Sequence, residues 1–253
     1  MTQVFTIDNG NSNPNIGFFE NGLLTDVLLK ADFMSRFKIL PADVRAIMAD
    51  VGFPNELPDF FGDRLLRLGA YRTKNGFLDM PVNYAATLGE DRLALGFHVY
   101  KTMPRKLPAL VVDSGTFTTI DVVDKNGFMG GYIFPGIRRF YEIYGQSARL
   151  PDLSSAAFAF DAPKALPRTT PEAILQAGQA YWTGVFKEIL TLGYDFKTIL
   201  VTGGDAQRLE PLLKRLCATQ EIIVDLRLIH LSLYTVYQNI QSLKQPLRSI
   251  NHA

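Results

Sequence analysis

Short apolar runs that end in an acidic residue and a glycine-containing turn recur along this chain. Val4, Phe5, Thr6 and Ile7 lead into Asp8, Asn9, Gly10, Asn11 and Ser12, and Leu110, Val111 and Val112 lead into Asp113, Ser114, Gly115 and Thr116. Each loop is followed by a second apolar run and an Asn–Gly pair, Asn21–Gly22 after residues 16–19 and Asn126–Gly127 after residues 119–123. Asn–Gly between apolar runs is the strongest short hairpin signal. The repeated strand, loop, strand and turn predict a duplicated fold that closes on one nucleotide.

Further strand-like runs lie at Arg45–Asp50, 109–113, 117–123 and Thr198–Thr202, with helical patterns between them. The expected architecture is therefore α/β, with mixed sheets, hairpins at the start of each domain and helices on the sheet faces. Ala173, Ile174, Ala177, Tyr181, Val185, Phe186, Ile189 and Leu190 recur at helical spacing, with Thr170 as the expected N-cap and Pro171 as the first helical residue. Residues 150–168, rich in Pro, Ala and Ser, have no clean period and read as a long loop. A domain boundary is expected near residue 108, giving domains 1–108 and 109–253.

The chain has 253 residues, 47% hydrophobic and 20% charged, enough for two modest domains sharing a cleft. A net charge of +1 gives no global nucleic-acid footprint, and Arg64, Arg67, Arg72 and Lys74 read as solvated faces. The single cysteine, Cys217, excludes an intramolecular disulfide framework and a multi-cysteine zinc site, and it reads as a core residue. His98, His230 and His252 show neither metal-ligand spacing nor a nucleophile turn. With a strand expected from residue 4 and no apolar run of spanning length, neither a signal peptide nor a membrane partner is expected, and the location is expected to be cytoplasmic.

The residue types in the two loops suit polyphosphate. Glycine lets the backbone approach closely, while backbone N–H groups and the hydroxyls of Ser12 and Thr116 can donate to phosphate oxygens. A strand-end aspartate would repel bare phosphate, so its expected task is to hold a cation, directly or through water. One such loop is an ordinary turn; the matched pair predicts metal-assisted phosphoryl transfer.

Taken in order, several segments resemble the type III pantothenate kinases, of the superfamily of acetate and sugar kinases, Hsp70 and actin. They are DNGNS at 8 to 12, GEDR at 89 to 92, DSGTFTTID at 113 to 121 and GGYIFPG at 130 to 136. SARLP at 147 to 151, TTPEAI at 169 to 174 and TGGDA at 202 to 206 complete the set. The resemblance implies two ribonuclease-H-like (actin-like ATPase) domains around a central cleft, and phosphorylation of pantothenate by ATP as the first step toward coenzyme A. It implies that Asp8, Asn9, Gly10, Asn11, Ser12, Asn13, Pro14 and Asn15 form the first ATP-binding loop, with Thr116 a nucleotide contact in the second. Asp113 matches the position that holds a monovalent cation, potassium or ammonium, and Asp8 is expected near magnesium, directly or through water.

Asp91 matches the catalytic base, and Gly89, Glu90, Asp91 and Arg92 match the lining of the pantothenate pocket. Tyr84 and Thr170 match further pantothenate contacts, Thr170 reaching across the interface of a homodimer. Gly203 and Gly204 read equally as a nucleotide contact or as a strand-to-helix turn, whereas Tyr132 and Phe134 read as core residues. Arg138 and Arg139 read as a rim of the cleft or as surface. Phe117 stands where the family commonly has alanine, and its ring is expected to narrow the nucleotide site. Ser147 and Thr169 depart from a threonine and an asparagine, and the segment 48–52 lacks the serine often found there. These departures leave two alternatives, an altered member acting as a ligand sensor or accessory protein and a related small-molecule kinase.

Overall fold

A computed structural model of the chain describes residues 3–41, 43–155 and 165–244, which fall into two compact units. The first unit begins with β1 (Gln3–Asn9), β2 (Asn15–Glu20), β3 (Leu23–Leu29), α1 (Lys30–Arg36) and β4 (Arg45–Asp50). It continues through α2 (Leu57–Phe61), β5 (Leu65–Arg67), the two-residue strands β6 (Gly76–Phe77) and β7 (Met80–Pro81), and α3 (Glu90–Thr102). The second holds β8 (Ala109–Ser114), β9 (Phe117–Asp124), β10 (Gly127–Pro135), α4 (Ile137–Gly145), α5 (Thr170–Leu190), β11 (Thr198–Thr202), α6 (Ala206–Leu216) and β12 (Glu221–Val224). The last helix, α7 (Leu228–Leu243), returns to the first unit.

The duplication expected from the two loops is present in the topology. The first sheet runs β3-β2-β1-β4-β5 and the second β10-β9-β8-β11-β12, each with three antiparallel strands followed by two parallel ones. The first Asn–Gly pair forms the β2–β3 turn with positive φ at both residues, 49° at Asn21 and 88° at Gly22. In the β9–β10 turn Gly127 takes positive φ, at 111°, and Asn126 does not, while Asp124 Oδ1 accepts the Asn126 N–H at 2.6 Å.

One face of the first sheet is closed by aromatic packing. Phe5 sits with Phe18, Phe33, Phe37 and Phe61 at ring separations of 4.9, 5.2, 5.2 and 5.7 Å. α3 and α7 pack together, joined by His98 Nδ1 and Thr235 Oγ1 at 2.8 Å, and Phe19 of β2 stacks on Tyr234 of α7 at 4.1 Å. In the second unit, Trp182 and Phe186 of α5, Tyr141 of α4 and Leu209 and Leu212 of α6 join one core with Leu110, Val112, Ile120 and Val201. Cys217 belongs to that core, as expected. Among the described residues no helix is long and apolar enough to cross a membrane.

Several local expectations shift. The chain passes from the first unit to the second at 103/104 rather than near 108, and α7 belongs to the first unit, where its apolar side is buried. The N-cap of α5 is Thr169, whose hydroxyl accepts the Glu172 N–H at 3.4 Å, while Glu172 Oε2 accepts the Arg168 N–H at 3.0 Å. Thr170 is the first helical residue and Pro171 follows it. Tyr132 is 43% exposed on β10, whereas Phe134 packs against Trp182 at 6.0 Å. Of the expected loop at 150–168, residues 156–164 lie outside the described residues, as does His252.

Phe5→Ala should lower the unfolding free energy by about 3–5 kcal/mol, the usual range for emptying a packed aromatic site. Urea denaturation checks this; a loss under about 1 kcal/mol would show that the cluster is not the packing centre of its sheet face.

Candidate functional site

The first loop leaves β1 at Asp8, whose neighbours in the sheet are Asn15 of β2 and Ala49 of β4. Asn11, Ser12 and Asn13 are exposed, whereas Asn9 is buried and acts as a fastener. Its Nδ2 donates to Asp50 Oδ1 at 2.6 Å and to Phe53 O at 3.3 Å, and its Oδ1 accepts from Asn55 Nδ2 at 2.8 Å. The Val51 N–H donates to Asn9 O at 3.2 Å. A Cβ on Gly52 would run into the carbonyl oxygens of Asn9 and Gly10, so the segment after β4 braces the loop only because residue 52 is glycine.

The GEDR segment starts α3, and its residues diverge as the helix turns through roughly 100° per residue. Asp91 Oδ1 accepts the Arg92 N–H at 2.7 Å and lies 2.5 Å from where a Cβ on Gly89 would stand. Glu90 turns inward and accepts the N–H groups of Asp50 at 2.9 Å and Gly69 at 2.8 Å, tying the start of α3 to the end of β4. Arg92 is buried with its guanidinium 5.1 Å from the Tyr84 ring centre. Tyr84 is held from behind by Arg72, which donates to the carbonyls of Thr73 at 2.8 Å, Gly76 at 2.9 Å and Tyr84 at 3.0 Å. Arg72, expected on a solvated face, is instead half-buried and organises the chain leading to the GEDR segment. Its position beside Thr73 and Gly76 carried no signal, because its partners are backbone carbonyls.

Asp8 and Asp91 are close enough to interact electrostatically. Burial, then the charge of Asp91, raise the Asp8 pKa from 3.8 to about 6 against the opposing hydrogen bond from Asn15, whose Nδ2 lies 3.2 Å from Asp8 Oδ2. Burial also raises the Asp91 pKa, opposed by the Arg92 N–H and charge. Glu90 moves the same way, burial outweighing its two backbone donors.

In the second unit, Asp113 is the penultimate residue of β8 and pairs with Thr202 of β11. Gly203, at φ 87°, brings the backbone so close that a Cβ would stand 2.5 Å from both Asp113 Oδ1 and Ser114 O. Ser114 O also accepts the Asp205 N–H at 2.8 Å. Gly203 is therefore at least a tight turn against the loop. Thr116 is partly exposed, and its carbonyl accepts the Gly136 N–H at 3.0 Å. Phe117, 49% exposed, begins β9 opposite Pro135. Asp205 approaches Arg208 at 2.9 Å and feels the charge of Arg138, while Arg139 pairs with Glu142 on the surface at 2.8 Å. Thr170 is exposed at the start of α5. Among the described residues, no three His, Cys, Asp or Glu side chains gather as a metal-binding group.

Two five-stranded sheets of the same strand order, each with an acidic loop at the end of its central strand, define the actin-like ATPase fold. Solved structures share it: a Baf family protein from Campylobacter jejuni (TM-score 0.61, 22% identical, covering 94% of this chain and 99% of that one) and the activator of the 2-hydroxyisocaproyl-CoA dehydratase from Clostridium difficile with bound ADPNP (TM-score 0.58, 10% identical, covering 99% and 100%). The family model for type III pantothenate kinase matches residues 55–190. A type III pantothenate kinase from Christiangramia forsetii is 30% identical over 238 residues, 87% of this chain and 93% of the relative. The chain belongs to the type III pantothenate kinase family, a family of phosphotransferases.

The raised Asp8 pKa fixes a direction for stability. Between pH 4 and 6 the folded protein keeps a proton that the unfolded chain releases, so this group's contribution falls as pH rises through that window. At pH 8 the ionised Asp8 should cost about 2–3 kcal/mol. Asp8→Asn should accordingly be more stable than the parent at pH 8 by about 1–3 kcal/mol, with the gain shrinking below pH 5. Urea unfolding at both pH values measures it, and an equal or lower stability at pH 8 contradicts the cost of burying the ionised Asp8 near Asp91.

Proposed function

We propose that this chain phosphorylates pantothenate with magnesium ATP, acting in the cytoplasm at the first step toward coenzyme A. The observation that carries the reading is the convergence of Asp8, at the phosphate loop, with Asp91, at the start of α3. A primary alcohol is a poor nucleophile until a carboxylate accepts its proton during attack on the γ-phosphorus. Asp91 is assigned that proton, and its raised pKa brings it closer to the operating pH. Arg92, flattened against Tyr84, offers a planar fork for the pantothenate carboxylate. Gly89 permits the Asp91 rotamer, and Glu90 is assigned to holding α3 in place, since both its oxygens are committed to backbone donors.

The residues from Asp8 to Asn15 are assigned to the ATP phosphates, with Thr116 as a contact from the second loop. The burial of Asp8 beside the charge of Asp91 fits a nearby dication. Magnesium bound there with ATP supplies charge neutralisation of the transferring phosphoryl group. Asp113 is assigned to the monovalent cation, since a carboxylate oxygen is a hard ligand suited to potassium or ammonium. A homodimer is part of the reading, with Thr170, exposed at its helix start, contacting pantothenate bound by a second copy.

An ADP-release assay with magnesium ATP and pantothenate, run in potassium, ammonium or sodium and with the product confirmed by mass, tests the reading. Pantothenate-dependent turnover that rises with potassium or ammonium is expected. Nucleotide or pantothenate binding without turnover would favour an accessory role, and turnover only with another alcohol would favour a related kinase. Asp91→Asn should lower kcat by about 100-fold or more while leaving pantothenate binding nearly unchanged, and should remove the acidic limb of the pH–rate profile. Asp113→Asn should erase the difference between potassium and sodium; unchanged ion dependence sinks that assignment.

A further inference from the structure

His230 is a buried titratable group that the chemistry above does not use. It lies on α7, is 2% exposed, and burial pushes its pKa down to about 4, so its imidazole is neutral near pH 7 with one N–H and one lone pair. Nδ1 stands 2.8 Å from Thr6 Oγ1, and Nε2 stands 2.6 Å from Asn15 Oδ1. The Asn15 amide nitrogen is turned the other way and donates to Asp8 Oδ2 at 3.2 Å and to Asn13 O at 3.3 Å.

Thr6 Oγ1 also lies 3.4 Å from Gly17 O, and the direction of the hydrogen-bond chain is set from its Asn15 end. The acceptor end of the Asn15 carboxamide faces the ring, so Nε2 carries the hydrogen and Nδ1 accepts from Thr6. Flipping the carboxamide would set its oxygen against a carboxylate and its NH2 against the Nε2–H. The sheet is shaped for this ring as well. Gly17 pairs with Thr6 across β1 and β2, and a Cβ there would stand 2.5 Å from Thr6 Oγ1 and 2.7 Å from His230 Nδ1. A plain packing histidine explains the gap at Gly17, but it does not need an asparagine whose other end holds Asp8.

We propose that Thr6, His230 and Asn15 form a one-way hydrogen-bond relay that fixes the Asp8 carboxylate at the phosphate loop, making His230 a positioning residue for phosphoryl transfer. The catalytic part of this assignment rests on the kinase reading above; the geometric part does not. Positioning residues that act through another group typically change activity by about 10- to 100-fold.

Two sets of measurements on the full chain test it. In ¹⁵N NMR, His230 should show the Nε2–H tautomer, and the Asn15 side-chain amide should exchange slowly with solvent in the parent but rapidly in His230→Leu. An Nδ1–H tautomer, or an Asn15 amide indifferent to His230→Leu, overturns the relay whether or not the protein turns over pantothenate. In the kinetic arm, His230→Leu should lower kcat by about 10- to 100-fold with little change in the pantothenate KM. His230→Gln, whose amide can donate from the same place, should recover most of the loss. Asn15→Leu should match His230→Leu, and the double variant should lose no more than either. Equal losses in the Leu and Gln variants, or losses that multiply in the double variant, overturn the positioning role. Should His230→Leu fail to fold, His230→Gln and Asn15→Leu still decide the matter. Absence of turnover in the parent, with the NMR signatures present, would fail the kinase reading and leave the relay standing.

Discussion

The burial of two carboxylates, Asp8 and Asp91, sets the terms for the first unit. Burial raises the proton affinity of both carboxylates, the charge of Asp91 adds to it at Asp8, and a fold tolerates this only where neighbouring structure holds the groups in place. Asp8 is held by the sheet on both sides, by Ala49 in register and by Asn15 across the hairpin. Asp91 is held by the helix start and by Gly89, which leaves room for its rotamer. Glu90 fastens that helix start to the strand next to β1, so one short segment supplies both a reactive group and its own anchor.

The architecture was largely legible in the chain. Arg45–Asp50 and Thr198–Thr202 are strands at their expected bounds, because a continuous apolar run bounded by polar residues marks a strand buried on both faces. β3 was not legible: Leu23, Val27 and Leu29 point to its exposed side, so the alternation that marks a half-buried strand is absent. β10 was obscured by its glycines, and the return of α7 to the first unit by the fact that an apolar helix carries no address.

At the site, the separation is by interaction type. Loops whose glycines and acidic residues sit next to one another in the chain were found, and their place at the strand ends is what the topology shows. Arg72 and His230 were missed, because each acts through partners remote in sequence: backbone carbonyls in one case, Thr6 and Asn15 in the other. Asn9 has a further part that its place in the loop did not signal: its buried carboxamide fastens the loop to Asp50 and Asn55, partners remote in sequence.

The excursion of the chain through the second unit before α7 has a consequence for biogenesis. During synthesis, residues 104–226 emerge before the helix that covers one face of the first sheet, a delay of roughly ten seconds at about 5–20 residues per second. Until then Phe19 lacks its stacking partner and Asn15 lacks its imidazole. The nascent first unit is thus an incomplete body carrying exposed apolar surface, while the inserted unit is already whole in sequence. Ribosomal products that stop before Arg227 would carry both phosphate loops yet lack a finished first sheet, which makes them clients for chaperones or proteases rather than partially active enzymes.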